Sequence, residues 1–197
     1  MNTTIDLIRH GEPVGGRMYR GCIDHPLSER GWAQMRAATA EPAAWDRVMS
    51  SPLLRCREFA AELAARLALP LQIDARLREV GFGDWEGRTG DQIRTADPTA
   101  LSRFYLDPVG ARPANAEPLE ALQARVSAAL LEVLTQHAGD HVLIVTHAGV
   151  IRAAIAHVLA APLAAIYRTH VDNAAVTRLR QTAERPLTLV YHGRQRP

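Results

Sequence analysis

Short apolar runs alternate with stretches of helical periodicity along this chain of 197 residues. The apolar runs predict strands at about 4–9, 46–50, 71–73, 142–146, 174–179 and 187–191. Residues at helical spacing predict helices at about 29–39, 52–67, 89–95, 98–106, 118–137 and 150–159. Alternation of this kind favours an α/β fold with three layers (α/β/α), in which helices cover both faces of a mostly parallel central sheet. We expect residues 1–197 to form a single domain.

Local signals mark where two of these helices begin. Ser28 is predicted to be the N-cap of the first helix. Ser51 and Pro52 are predicted to supply the N-cap and the first residue of the second helix. Between residues 76 and 87 the periodicity is lost, which predicts a loop rich in glycine and acidic residues.

Candidate catalytic residues stand where the predicted parallel strands end. His10 follows the first strand, and His147 ends the fourth. Arg55 lies in the first turn of the helix after the second strand, and Glu79 lies in the loop beyond the third. Because ligands of such sheets bind at the carboxyl ends of the strands, we expect these four residues to meet at one edge.

This set combines excess positive charge with one acid, which suits phosphoryl transfer. Arg9 and Arg55 are planar, bidentate donors for phosphoryl oxygens, and His147 adds an imidazole at a helix start. His10 is the candidate nucleophile, with its second ring nitrogen held by a backbone carbonyl. Glu79 is the candidate proton donor to the leaving group. The neighbouring acids Asp84 and Glu86 are alternatives for that role.

Four segments of the chain resemble the histidine phosphatase superfamily, which contains the cofactor-dependent phosphoglycerate mutases and many small phosphatases. They are residues 9–12 (Arg-His-Gly-Glu), 50–56, 77–87 and 145–152, in the family's order. The resemblance implies a phosphoglycerate mutase-like fold, a phosphohistidine at His10, phosphate clamping by Arg9, Arg55 and His147, and proton donation by Glu79. Residues 19–31 are most similar to the α-ribazole phosphatase group, which acts in cobalamin synthesis.

The chain departs from the family pattern at three places. Gly16 stands where many members have an asparagine that touches phosphate, and Arg17 or Arg20 is a candidate to replace it. Ala148 stands where many members have glycine, and Glu117 keeps only the acid of a usual Gly-Glu-Ser. The further substrate-binding candidates are Ala148, Arg17, Tyr19, Arg20 and Gly21.

Composition narrows the class of protein. The formal net charge of +2 does not indicate a nucleic-acid partner. Arginine greatly outnumbers lysine, which reflects either a GC-rich genome or a use for bidentate oxyanion recognition. Cys22 and Cys56 do not form a disulfide framework or a Cys-x-x-Cys pair. No leader and no apolar run of about 20 residues are evident, so we expect a cytoplasmic protein without a membrane partner.

The sequence therefore predicts a metal-independent phosphomonoesterase that acts on a small phosphorylated metabolite and needs no cofactor. α-Ribazole 5′-phosphate is the substrate that the narrower resemblance implies. A phosphoglycerate mutase and a non-catalytic phospholigand-binding protein are the alternatives. The sequence leaves open whether the protein forms a homodimer.

Overall fold

The computed structural model describes residues 2–41 and 44–195 of the chain. Its strands are β1 (Thr3–Arg9), β2 (Arg47–Ser50), β3 (Leu71–Ile73), β4 (His141–Thr146), β5 (Val176–Thr182) and β6 (Arg185–Arg194). Its α-helices are α1 (Glu29–Ala38), α2 (Leu54–Leu67), α3 (Gly90–Ala96), α4 (Ala100–Leu106), α5 (Leu119–Gln136) and α6 (Ala148–Val158). The described part of the chain contains no helix with the length and apolar character that crossing a membrane requires.

The six strands form one sheet in the order β3-β2-β4-β1-β5-β6. β3, β2, β4 and β1 run parallel to one another, so the carboxyl ends of these four strands share one edge. β5 runs antiparallel to β1 and joins β6 in a hairpin at the edge of the sheet. The predicted mostly parallel sheet is confirmed, and the hairpin accounts for its antiparallel part.

Helices cover both faces of the sheet, as predicted. On one face, side chains of β1 and β4 such as Ile5 and Ile144 pack with α5 and α6. On the other face, Ile8 and Val145 pack with residues of α1 and α2. The alternation of side chains along each strand thus divides the core into two apolar layers, because successive residues point to opposite faces.

The predicted start of α1 is confirmed, and that of α2 is wrong. Ser28 is the N-cap of α1, and its hydroxyl accepts a hydrogen bond from Gly31 N at 3.0 Å. α2 begins at Leu54 rather than at Pro52, because Ser51 N still donates to Val145 O of β4 at 3.0 Å. The amide of Leu54, which as the first residue of α2 has no acceptor within the helix, donates to Asp24 Oδ1 at 2.6 Å. This cap comes from a distant loop, which the local sequence does not indicate.

The last predicted helix also begins earlier than expected. α6 starts at Ala148 rather than at residue 150, and His147 is its N-cap. The chain therefore passes from β4 into α6 through a single residue. Consequently the His147 side chain lies at the junction of the strand end and the helix N-terminus.

Candidate active site

The pairing of β1 with β4 brings the two histidines together. Arg9 is paired with Thr146, and His10 N donates to Thr146 O at 2.9 Å. The next residue on each strand is a histidine, and the ring centroids of His10 and His147 lie 5.1 Å apart with an interplanar angle of 64°. The edge of the sheet predicted from the sequence is therefore the place where these residues meet.

His10 is held in one tautomer. Its Nδ1 lies 2.7 Å from Gly11 O, and because a carbonyl oxygen only accepts, Nδ1 carries the proton and Nε2 keeps its lone pair. Burial lowers the pKa of His10 well below its usual value of 6.5, and the charges of Arg9 and Arg55 lower it further. The ring is therefore neutral at pH 7, which is the state a nucleophile requires.

The turn after His10 depends on a close approach of two glycines. A Cβ on Gly11 would lie 2.2 Å from Gly31 O, and one on Gly31 would lie 2.0 Å from Glu12 O. Any side chain at either position would separate this turn from the start of α1. The glycines thus fix where the chain leaves the His10 ring.

Arg55 is completely buried beside the two histidines. Its Nη1 donates to Ile23 O at 2.8 Å, and its Nη2 donates to Gly21 O at 3.2 Å. The remaining nitrogen, Nε, is buried and has no partner among the described residues. An unpaired donor on a buried cation is costly, so this nitrogen is suited to an anionic ligand.

Arg9 also has an unpaired Nε, although a single backbone carbonyl holds its guanidinium. Its Nη1 donates to Val171 O at 2.6 Å, whereas its Nε is buried without a partner in the described part of the chain. Burial lowers the pKa of Arg9, and the negative charge of Glu79 partly opposes that effect. The site therefore holds two guanidinium groups that are anchored by backbone carbonyls and whose Nε atoms have no acceptor among the described residues.

His147 is held by side chains that follow β2. Its Nε2 lies 2.7 Å from Ser51 Oγ, and Cys56 Sγ lies 3.5 Å from the same nitrogen. Burial lowers the pKa of His147 well below 6.5, with a further contribution from Arg55. Burial also raises the pKa of the Cys56 thiol, which keeps it protonated.

Glu79 reaches the start of α6 from the loop beyond β3. Gly149 N donates to Glu79 Oε1 at 3.0 Å and to Oε2 at 3.3 Å, and Val80 N donates to Oε1 at 2.9 Å. A Cβ on Gly149 would lie 2.3 Å from Oε1. Glycine at position 149 is therefore what allows the carboxylate to approach the helix N-terminus.

The two other acids of this loop are engaged elsewhere. Asp84 is exposed, and its Oδ1 accepts a hydrogen bond from Asn115 Nδ2 at 2.9 Å. Both oxygens of Glu86 accept backbone N–H groups, including those of Gly21 and Phe82. Of the three acids, Glu79 is the one held at the start of α6, by an amide two residues beyond His147. Its role as proton donor stays a prediction.

The remaining substrate-binding candidates fall into different environments. Arg20 donates to Val14 O at 2.8 Å and Gly16 O at 3.1 Å, and its charge contributes to lowering the pKa of His10. Arg17 is exposed in the same loop. Of the two candidates to replace the missing asparagine at Gly16, Arg20 is thus the one whose charge lowers the pKa of His10.

Tyr19, Gly21 and Ala148 have structural contacts that the sequence did not reveal. The Tyr19 hydroxyl lies 3.0 Å from that of Tyr105, and its ring packs against Phe82 and Trp85. Gly21 supplies the carbonyl that holds Arg55, and Ala148 is the first residue of α6.

Sequence reasoning missed a support for the Glu79 loop. Arg125 of α5 donates to the carbonyl oxygens of Arg78 at 2.7 Å and Glu79 at 3.2 Å, and it pairs with Glu117 at 2.7 Å. Glu117 in turn accepts a hydrogen bond from Gly81 N at 3.2 Å. The Arg125 side chain is only 10% exposed, and nothing in the local sequence of α5 indicates that it supports a distant loop.

Comparison with known proteins identifies a family and several relatives of this chain. The model of the histidine phosphatase superfamily (branch 1) matches residues 5–192. An adenosylcobalamin/α-ribazole phosphatase of Salmonella typhimurium is 32% identical over 172 residues, covering 85% of this chain and 85% of the relative. A putative phosphoserine phosphatase 2 of Hydrogenobacter thermophilus is 29% identical over 189 residues, covering 94% of this chain and 92% of the relative.

Solved structures give the same picture of the fold. A mycobacterial glucosyl-3-phosphoglycerate phosphatase superposes with a TM-score of 0.85 at 28% identity, covering 96% of this chain and 98% of that one.

The chain spans about half the length (49%) of another relative, a bifunctional protein of Mycobacterium tuberculosis, to which it is 33% identical over 180 residues.

Proposed function

The chain belongs to the histidine phosphatase superfamily, and we propose that it hydrolyses phosphomonoesters through a phosphohistidine at His10, without a metal ion. The observation that carries this proposal is a neutral His10 ring beside the buried Nε atoms of Arg9 and Arg55, which have no partner among the described residues. A phosphoryl group between them gives both cations an anionic partner. It also brings phosphorus to the Nε2 lone pair.

In the first step, His10 Nε2 attacks phosphorus, so that the P–Nε2 bond forms and the ester P–O bond breaks. Arg9, Arg55 and His147 donate to the phosphoryl oxygens, whose charge grows in the transition state. The leaving alkoxide takes a proton from the Glu79 carboxyl. The Gly11 carbonyl stabilises the Nδ1 proton while His10 carries the phosphoryl group.

In the second step, water attacks the phosphohistidine. Glu79, now a carboxylate, removes a proton from that water, and the P–Nε2 bond breaks. Inorganic phosphate leaves, and His10 returns to its neutral tautomer. The cycle is balanced, because the proton given to the alcohol is recovered from water.

For the substrate we propose α-ribazole 5′-phosphate, with support from the similarity of residues 19–31 and from the α-ribazole phosphatase among the relatives. The relatives named for phosphoserine and glucosyl-3-phosphoglycerate define the competing substrates. We further propose that Arg20, Tyr19, Gly21 and Ala148 line the substrate side of the site, with Arg17 at its exposed rim. A cytoplasmic location fits this role in metabolism.

The test is a turnover panel of α-ribazole 5′-phosphate, phosphoserine, 3-phosphoglycerate and a sugar phosphate, with phosphate release measured for each. We expect hydrolysis throughout and the highest kcat/KM for α-ribazole 5′-phosphate. Preference for another ester would overturn the substrate but not the chemistry. Exchange of 2- and 3-phosphoglycerate without hydrolysis would identify a mutase instead. Phosphate binding without turnover of any ester would identify a binding protein.

A further inference from the structure

The Glu86 carboxylate gathers backbone amides from two separate segments of the chain. Gly21 N lies 3.0 Å from Oε2 and 3.1 Å from Oε1, and Cys22 N lies 3.0 Å from Oε1. Ile23 N is 3.4 Å from Oε2, and Phe82 N from the Glu79 loop is 2.9 Å from Oε1. Four amides on one carboxylate fix both segments relative to each other, because hydrogen bonds to an ionised acceptor are strong.

The opposite side of the same 21–23 segment holds Arg55. The carbonyls of Gly21 and Ile23 accept the two Nη hydrogen bonds, at 3.2 and 2.8 Å. A Cβ on Gly21 would lie 2.2 Å from Val80 O and 2.4 Å from Glu86 Oε1, so the segment has little freedom to shift. The amides of this segment thus face Glu86 while its carbonyls face the guanidinium.

We infer that Glu86 is a positioning residue that orients Arg55 for phosphate binding through the 21–23 segment. The inference rests on the proposed function, since it assigns Arg55 to the phosphoryl group. When both Nη atoms are fixed by carbonyls, the direction of Nε is fixed too, and Nε is the donor left for the ligand. Without the carboxylate at position 86, the 21–23 segment can shift, and Arg55 Nε then adopts a wider range of orientations.

A purely structural role for Glu86 predicts something different. In that case its removal weakens the fold as a whole, and phosphate affinity falls by the same factor whatever residue stands at position 55. If Glu86 acts through Arg55, its removal has little effect once Arg55 can no longer bind both carbonyls. A double-mutant cycle on ligand affinity separates these two roles.

The experiment measures the Kd of inorganic phosphate by calorimetry for the wild type, Glu86→Gln, Arg55→Lys and the double variant. In Glu86→Gln an amide NH₂ replaces one acceptor oxygen and opposes the backbone N–H groups. We expect Kd to rise about tenfold in each single variant, a loss typical of coupled contacts, and no more than about twofold further on combination. Asp84→Asn, in the same loop but exposed, is the matched control and should keep the wild-type Kd.

The inference would be overturned if the increases in Kd of the two single variants multiplied in the double variant. It would also be overturned if Asp84→Asn raised Kd as much as Glu86→Gln does. If Glu86→Gln does not fold, Glu86→Asp replaces it in the same cycle, because the shorter carboxylate keeps the charge but cannot reach both segments. The same coupling is expected there, and its absence would overturn the inference too. Failure of the proposed function looks different: the wild type itself would neither bind phosphate nor release it from any ester.

Discussion

The rings of His10 and His147 lie edge to face with their centroids 5.1 Å apart, although 137 positions separate them in the sequence. Their proximity follows from the register of two neighbouring parallel strands, in which Arg9 is paired with Thr146. Each strand ends on the same edge and delivers one imidazole there. Moving one strand by a single residue would turn its histidine to the other face of the sheet, so strand register is what assembles the site.

The role of Glu79 predicts a dependence on the leaving group. Glu79→Gln cannot donate a proton, so the first step should slow by about 10²-fold or more with an alkyl phosphate. With p-nitrophenyl phosphate the loss should stay within about tenfold, because nitrophenolate leaves without a proton. Pre-steady-state release of the alcohol or phenol isolates this step from the hydrolysis of the phosphoenzyme.

Glu86→Gln serves as the comparison for this leaving-group experiment. We place Glu86 behind Arg55 rather than on the leaving group, so it should slow both esters by a similar factor. Equal slowing of both esters by Glu79→Gln would remove Glu79 from the donor role.

Gly149→Ala should mimic the loss of Glu79. The new Cβ would lie 2.3 Å from Glu79 Oε1 and 3.0 Å from Val80 Cγ1, so the carboxylate must move away from the site. We expect kcat/KM for an alkyl phosphate to fall about tenfold or more, with a smaller loss for p-nitrophenyl phosphate. Gly90→Ala, where a Cβ meets its neighbours at 3.4 Å or more, is the control and should retain activity. Full activity of Gly149→Ala would mean that the Gly149–Glu79 contact is dispensable.

The two buried histidines predict how stability depends on pH. Burial lowers the pKa of both His10 and His147 well below 6.5, so just below pH 6.5 the unfolded chain binds more protons than the folded one. Stability should therefore fall as the pH drops through 6.5, with a limiting slope of about 1.4 kcal/mol per pH unit for each histidine. Denaturant unfolding between pH 7.0 and 5.5 measures this slope.

A variant in which both histidines are replaced by glutamine should flatten that pH dependence. Asp6 does not interfere in this range. Although its burial would raise its pKa, hydrogen bonds from Arg178, His141 and Trp45 hold it below 3.8, so its contribution is lost at lower pH. An unchanged slope in the double variant would show that other groups set the acid sensitivity.

The sequence was sufficient to predict the sheet and the residues at its edge. The strands can be recognised in the sequence because strands buried on both faces are nearly continuous in apolar residues, as in 142–145. His10, Arg55, Glu79 and His147 follow from the rule that parallel strands present their carboxyl ends together. Their placement depends on the order of the elements and on local periodicity, both of which the sequence contains.

Contacts between distant segments were not predictable. The cap of α2 comes from Asp24, and the support of the Glu79 loop comes from Arg125 of α5. The sequence offers Glu86 as an alternative proton donor, whereas in the structure its carboxylate binds amides of the 21–23 segment. Each of these polar groups finds its partner only when the chain has folded, and nothing in the local sequence marks which partner that is.

The central claim is that His10 carries the phosphoryl group, and trapping the phosphoenzyme tests it most directly. The enzyme is mixed with a ³²P-labelled phosphomonoester, quenched within the first turnover, and treated with acid or base before electrophoresis. We predict a labelled protein that is stable in base and labile in acid in the wild type, and no label in His10→Ala. Label retained in His10→Ala, or an adduct that survives acid, would contradict the account.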